Sequence, residues 1–241
     1  FRDLVDQINK GGGAICVENA AVSMNDILID GCESSERGGG IFLENNLELE
    51  NTVKITNVNF KNCIAKSGGG AFIYTPSANV DVTITDCYFY NNDANGTKPS
   101  DNSVSLNHGG SALFLAAKNG HLSNSKFERN VGNNVRLFNL FDRVSNSISL
   151  LNNQNSFSIS QCTFEVCPES TSCLFYVRGD GGSSFEIQKC SFRGKLSSGS
   201  YYIDGQTLSN KGPKLVVKKC KFSSNCQSAL SLLDPNNNFM S

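Results

Sequence analysis

Gly69-Gly70-Ala71-Phe72-Ile73-Tyr74, followed after a short polar gap by Val82-Thr83-Ile84-Thr85-Asp86-Cys87-Tyr88-Phe89, decides the fold. The first segment is a glycine corner that leads into an apolar strand. The second alternates apolar with polar residues and closes on a phenylalanine. A period of two is the mark of a strand with one buried face, and it excludes a helix. Both patterns recur. The glycine corner returns as Gly12-Gly13-Ala14-Ile15-Cys16-Val17, Gly38-Gly39-Gly40-Ile41-Phe42-Leu43 and Gly110-Ser111-Ala112-Leu113-Phe114-Leu115, with looser copies at 137–140, 174–177, 201–203 and 229–232. The alternating strand returns at 53–60, 157–164, 185–192 and 215–222. Its closing apolar residue is in turn Ile29, Phe60, Phe89, Phe127, Phe164, Phe192 and Phe222.

A recurrence of a few tens of residues signals a repeat architecture. One copy is too short to bury its own apolar face, so stacking must supply the burial, like over like at a strand spacing of about 4.8 Å. The expected fold is all-β: a right-handed single-stranded parallel β-helix of about seven rungs, forming one domain over residues 1–241. The phenylalanines are expected to make one buried, offset-stacked column. Two Asn- and Ser-rich excursions, 93–108 and 142–156, read as loops ejected from the stack, either recognition elements or tolerated surface variation. Solenoids need caps, and further chain is expected on both sides.

Charge is balanced, Lys+Arg 21 against Asp+Glu 22, so no net field draws this chain to nucleic acid or to an anionic membrane. No stretch approaches the roughly 20 apolar residues that span a bilayer, so direct membrane insertion is not expected of this segment. The ten cysteines include no Cys-x-x-Cys pair, which argues against a zinc ribbon or a thioredoxin-like site. Cys32 and Cys63 each follow a closing apolar residue by three positions and are the first choice for a disulfide. Cys162, Cys190 and Cys220, like Cys87, stand two residues before the stacked phenylalanine; they form either disulfides or a ladder of buried thiols. Together with one glycosylation sequon at Asn95, the even cysteine count points to an oxidising, extracellular or cell-surface location.

At this point the motifs resemble a known family. Gly-Gly-Ala-Ile at 12–15, with relatives at 39–42 and 69–72, is similar to the first motif of the polymorphic outer-membrane protein repeat. Phe89-Tyr90-Asn91-Asn92, Phe127-Glu128-Arg129-Asn130 and Phe222-Ser223-Ser224-Asn225 are similar to its Phe-x-x-Asn partner. The resemblance implies a β-helical surface protein exposed for adhesion, without catalysis. The sequence departs from the pattern where Cys32, Cys63, Cys167 and Lys195 take the asparagine position.

Parallel β-helices also include polysaccharide lyases and hydrolases, whose sites need converging carboxylates. The candidate pair is Glu18 and Glu44, expected roughly 5 Å apart in adjacent rungs; the alternative is two solvated carboxylates. His108 beside its glycine corner and His121 read as a turn and a strand residue, and neither a metal nor a cofactor is expected. If Ile15 and Val17, Ile41 and Leu43, Phe72 and Tyr74, and Leu113 and Leu115 face inward, the residues between them face out. The outward stripe is then Phe42, Ile73, Phe114, Tyr176 and Tyr202, a contact surface of the kind large apolar patches mark. It is either such a surface or is covered by a loop, and a register slip of one residue would invert it. The expected function is a non-enzymatic extracellular or cell-surface scaffold in adhesion or assembly. Its partner would be a host or neighbouring-cell surface protein or glycan, or a second copy. The alternatives are a carbohydrate-binding or polysaccharide-degrading β-helix and a subunit of an extracellular fibre.

Overall fold

The computed structural model describes residues 5–6, 11–45, 51–75, 80–94, 110–131, 135–138, 155–165, 175–179, 183–195, 203–207, 214–223 and 230–233. Among these residues there is no helix, and the strands pair in parallel within three sheets. The glycine corners feed an eight-stranded sheet whose order follows the sequence: Ile15–Glu18, Ile41–Glu44, Ala71–Tyr74, Leu113–Ala116, Val135–Phe138, Phe175–Gly179, Ile203–Thr207 and Leu230–Leu233. The phenylalanine-bearing segments form a twelve-stranded sheet, and short strands such as Glu33–Ser34 and Ile64–Ala65 form a four-stranded one. Each repeat adds one strand to a growing parallel stack, a pattern compatible with a β-helix. Of the expected excursions 93–108 and 142–156, the ends are strand, Asp93–Ala94 and the start of Asn155–Ser160, and residues 95–108 and 142–154 lie outside the described residues.

A single residue splits the expected alternating strand. Asp26, Asn57, Asp86, Asn124, Gln161, Lys189 and Lys219 all adopt positive φ between 47 and 57°. Each stands three residues before the closing apolar side chain. The left-handed residue consumes one step of the alternation, so Val82 and Ile84 before it, and Cys87 and Phe89 after it, all reach the same core. Asparagine and aspartate tolerate this conformation best, although it costs other residues about 1 kcal/mol or more.

The apolar payoff is the closing column. Ile29, Phe60, Phe89, Phe127, Phe164, Phe192 and Phe222 are Cα partners from repeat to repeat. Ring centroids along it are 4.6, 4.7, 5.0, 5.0 and 4.9 Å apart, with planes within 15° of parallel. The spacing is that of parallel strands, so the backbone ladder and the ring stack have the same period.

Two residues after the column the chain turns again, at Asn62, Asn91 and Arg129 with φ near 52°. The asparagines of the Phe-x-x-Asn motif close that turn. Asn92 Nδ2 donates to the Phe60 carbonyl and Asn130 Nδ2 to the Phe89 carbonyl, both at 3.0 Å. Asn92 Oδ1 accepts from Cys63 N, and Asn130 Oδ1 from Asn92 N, also at 3.0 Å. Each buried amide thus binds the backbone of its own turn to the repeat before it.

At the glycine corner Gly68 takes φ 64° and Gly69 has no room for a side chain. A Cβ on Gly69 would come within 2.4 Å of the Asp93 and Ser111 carbonyl oxygens. The register there places Ile41 over Ala71 and Ala71 over Leu113. The third glycine motif therefore begins at Gly68, one residue earlier than read from the sequence. Later strands start at 135, 175, 203 and 230 rather than at the looser copies proposed above.

Replacing Phe164 by Ala in mid-column should cost about 3 to 5 kcal/mol, the usual range for a buried aromatic ring. Urea unfolding measures it, and an unchanged midpoint would contradict the stack.

Candidate functional site

The corrected register reassigns the expected contact stripe. Ile73 is buried in the main core at 0% exposure, and its place on the outer side of the sheet is taken by Phe72. Phe42, Phe72 and Phe114 stack at 5.6 and 4.5 Å and, with Ala116, make a second apolar cluster against which Tyr74 packs. Phe42 is 2% and Phe114 0% exposed, so these rings are internal packing and not a binding face. The Arg37 guanidinium lies 5.3 Å from the Phe72 ring centre and helps to cover it. Further along, Tyr176 is the Cα partner of Arg136 and of Asp204, not of Tyr202. Tyr202 and the Tyr176 side chain lie outside the described residues. Changing Phe114 to Ser should therefore destabilise the protein by about 3 to 5 kcal/mol instead of only weakening a contact. Thermal melting reads the difference, and a variant that melts like the parent would restore the exposed stripe.

No bridge joins the disulfide candidates in the structure. Cys32, Cys63, Cys162, Cys190 and Cys220 are thiols, as is Cys87. Each has a carbonyl partner two residues back: Cys63 Sγ donates to Lys61 O at 3.2 Å, Cys87 to Thr85 O at 3.2 Å and Cys162 to Ser160 O at 3.2 Å. Cys190 and Cys220 repeat this at 3.3 and 3.4 Å, and Cys32 at 3.5 Å. Ser125 does the same with its hydroxyl at 2.8 Å in the place that Cys87, Cys162, Cys190 and Cys220 take in their repeats, a place held in an earlier repeat by Val58. Burial pushes the Cys63 thiol up to about 12 and the Cys87 thiol up to about 11. The hydrogen bond between Cys162 and Cys190 raises the first and lowers the second. In native protein at mildly alkaline pH, Cys63 and Cys87 should stay unmodified by a thiol reagent while the more exposed Cys220 reacts faster, because burial both shields the first two from the reagent and disfavours their thiolates. Peptide mapping after a timed reaction tests this; labelling of Cys63 or Cys87 at the rate of Cys220 would contradict it.

Sequence reasoning missed a polar-aromatic cluster on the outer side of the phenylalanine strands. Tyr88 Oη donates to Glu128 Oε2 at 2.6 Å, and Lys126 Nζ pairs with Glu128 Oε1 at 2.5 Å. Lys61 and Lys126 place their ammonium groups 5.8 and 5.6 Å from the Tyr88 ring centre. Tyr90 tilts against Tyr88 at 5.8 Å and accepts a 3.4 Å hydrogen bond from Arg129. Burial, then the Glu128 hydrogen bond, raises the Tyr88 phenol above its ordinary range. Burial opposes ionisation of Glu128, but hydrogen bonds from Lys126 and Tyr88 outweigh it and hold the carboxyl below its usual value. The outward positions Tyr88, Tyr90 and Glu128 alternate with Phe89 and Phe127; that alternation is the signal that was available.

Glu18 and Glu44 are Cα partners, as expected, and the column continues with Tyr74 and Ala116, which supply no further acid. His121 is exposed on its strand; His108 and Asn95 lie outside the described residues. Among the described residues no set of three or more His, Cys, Asp and Glu side chains is arranged to hold a metal ion. The described residues contain no helix long and apolar enough to cross a membrane.

No family model matches the chain, and no solved structure matches it. Among curated proteins it is similar to the probable autotransporter YfaL of Escherichia coli (strain K12), 33% identical over 89 residues. That alignment takes in 36% of this chain and 7% of the autotransporter, so the chain spans only a small part of that relative's length.

Proposed function

We propose that this chain is a right-handed parallel β-helix of about seven repeats within an extracellular or cell-surface scaffold that serves adhesion or assembly without catalysis. The observation that carries this reading is the in-register column from Ile29 to Phe222, a stack that extends by repetition and offers long outer faces. Crossovers between parallel strands of one sheet are right-handed in nearly all proteins, which supplies the hand. The likeness to an autotransporter supports surface exposure. So do the Gly-Gly-Ala-Ile and Phe-x-x-Asn motifs, whose side chains act in the turns described above.

The non-catalytic reading is supported by the engagement of Glu128 with Lys126 and Tyr88, and the carboxylate pair that an enzyme reading would use is Glu18 beside Glu44. Antibody labelling of intact, unpermeabilised cells that make the full protein should stain the surface; staining that needs permeabilisation would sink the localisation. Hydrolase and lyase assays on acidic and neutral polysaccharides should give no turnover above background. Product formation that disappears in Glu18→Gln or Glu44→Gln would replace the scaffold with an enzyme.

A further inference from the structure

The near-zero net charge conceals a segregated surface. Lys189, Arg193, Lys195, Lys214, Lys218, Lys219 and Lys221 are all exposed, and all lie on two adjacent repeats. These are seven of the 21 basic residues of the chain. Over the described residues 183–195 and 214–223 the one acid is Glu186, which pairs with Lys218 at 3.0 Å. Backbone pairing brings the cations together: Lys218 is the Cα partner of Gln188, and Lys221 that of Ser191. Lys189 N donates to Lys218 O at 2.9 Å, so the two corner lysines, Lys189 and Lys219, sit in neighbouring repeats. Like charges stacked at strand spacing destabilise a sheet, whereas opposite charges such as Glu36 and Lys66 pair across the early repeats. A cost kept in place on one band of the surface fits an external anion that offsets it.

We infer that this band binds an anionic polysaccharide, which deepens the surface-scaffold reading and rests on it. Three features select that class. The cations run along the strand direction, from Lys214 through Lys218 and Lys219 to Lys221, a line that an extended polyanion can follow. The line passes a left-handed corner at Lys219, which a flexible chain can follow more readily than a flat membrane surface can. Nucleic acid would be expected to find aromatic rings for its bases. Here Phe185 and Phe192 are buried in the core and Phe222 stacks on Phe192. The outward side chains that pair with the lysines on the neighbouring repeat are Ser184, Gln188 and Ser191, hydrogen-bonding groups suited to sugar hydroxyls, and Val216 stands between Lys214 and Lys218.

The test measures binding of the whole chain to a heparin decasaccharide, to single-stranded DNA of matched length and to vesicles of phosphatidylcholine with phosphatidylserine, across a salt series. The parent should bind heparin most tightly, with an affinity that falls steeply as salt rises. Lys189→Glu/Lys219→Glu/Lys221→Glu should weaken that binding by about tenfold or more. The milder Lys→Gln triple variant at the same positions, checked by circular dichroism, covers the case in which charge reversal unfolds the protein. Lys54→Gln/Lys66→Gln, on the early repeats, should leave binding unchanged. The inference is overturned if the parent ignores heparin, if it prefers DNA or vesicles, or if the folded triple variants bind like the parent. Failure here with positive surface staining removes the polysaccharide and keeps the scaffold. Heparin binding by a protein that stains only after permeabilisation does the reverse.

Discussion

Parallel in-register pairing imposes one condition on every side chain of this molecule: each residue sits directly above its counterpart in the next repeat. Planar aromatic rings gain from that geometry because the ladder spacing coincides with ring-stacking distance, 4.6 to 5.0 Å along the phenylalanine column. Primary amides gain too, since Asn92 and Asn130 each complete hydrogen bonds to the repeat before them. Charges gain only when opposite signs meet across repeats, as where Lys218 reaches diagonally to Glu186. The same rule therefore builds the core, closes the turns and makes the lysine band of the late repeats an exception.

The cysteines follow from this condition as well. At the corner before Phe89, Phe127, Phe164, Phe192 and Phe222 a backbone carbonyl accepts from a small side-chain donor, while Val58 takes that place before Phe60. A thiol and a hydroxyl both fit, and the column carries Cys87, Ser125, Cys162, Cys190 and Cys220. Burial keeps the deeper thiols neutral, and they pack as small hydrophobes. Their function is local satisfaction of the backbone, and the same geometry accounts for their regular position ahead of each ring.

Much of the fold was legible because the closing phenylalanines recur with one role and one neighbour pattern. The register of the glycine strands was not, because Gly68, Gly69 and Gly70 allow two alignments and Ala71, unlike Ile41 or Leu113, does not mark the core position. That slip of one residue exchanged Phe72 with Ile73, while the expected binding face was lost because Phe42, Phe72 and Phe114 are buried in a second cluster. The left-handed corners escaped notice because Asp86, Gln161 and Lys219 share a backbone conformation without sharing a chemistry. The cationic band escaped because total charge averages over a surface that only strand pairing can map.

Pairwise coupling between adjacent rings tests the stacked register most directly. Urea unfolding of Phe127→Ala, Phe164→Ala and the double variant forms a cycle whose coupling term isolates the contact, with Phe60→Ala and Phe192→Ala as a separated pair for comparison. Stacked neighbours should couple by about 0.5 to 1.5 kcal/mol, while the separated pair should add within roughly 0.5 kcal/mol. Additive losses for Phe127 and Phe164 would mean that the rings do not touch, and the column on which the structure rests would be wrong.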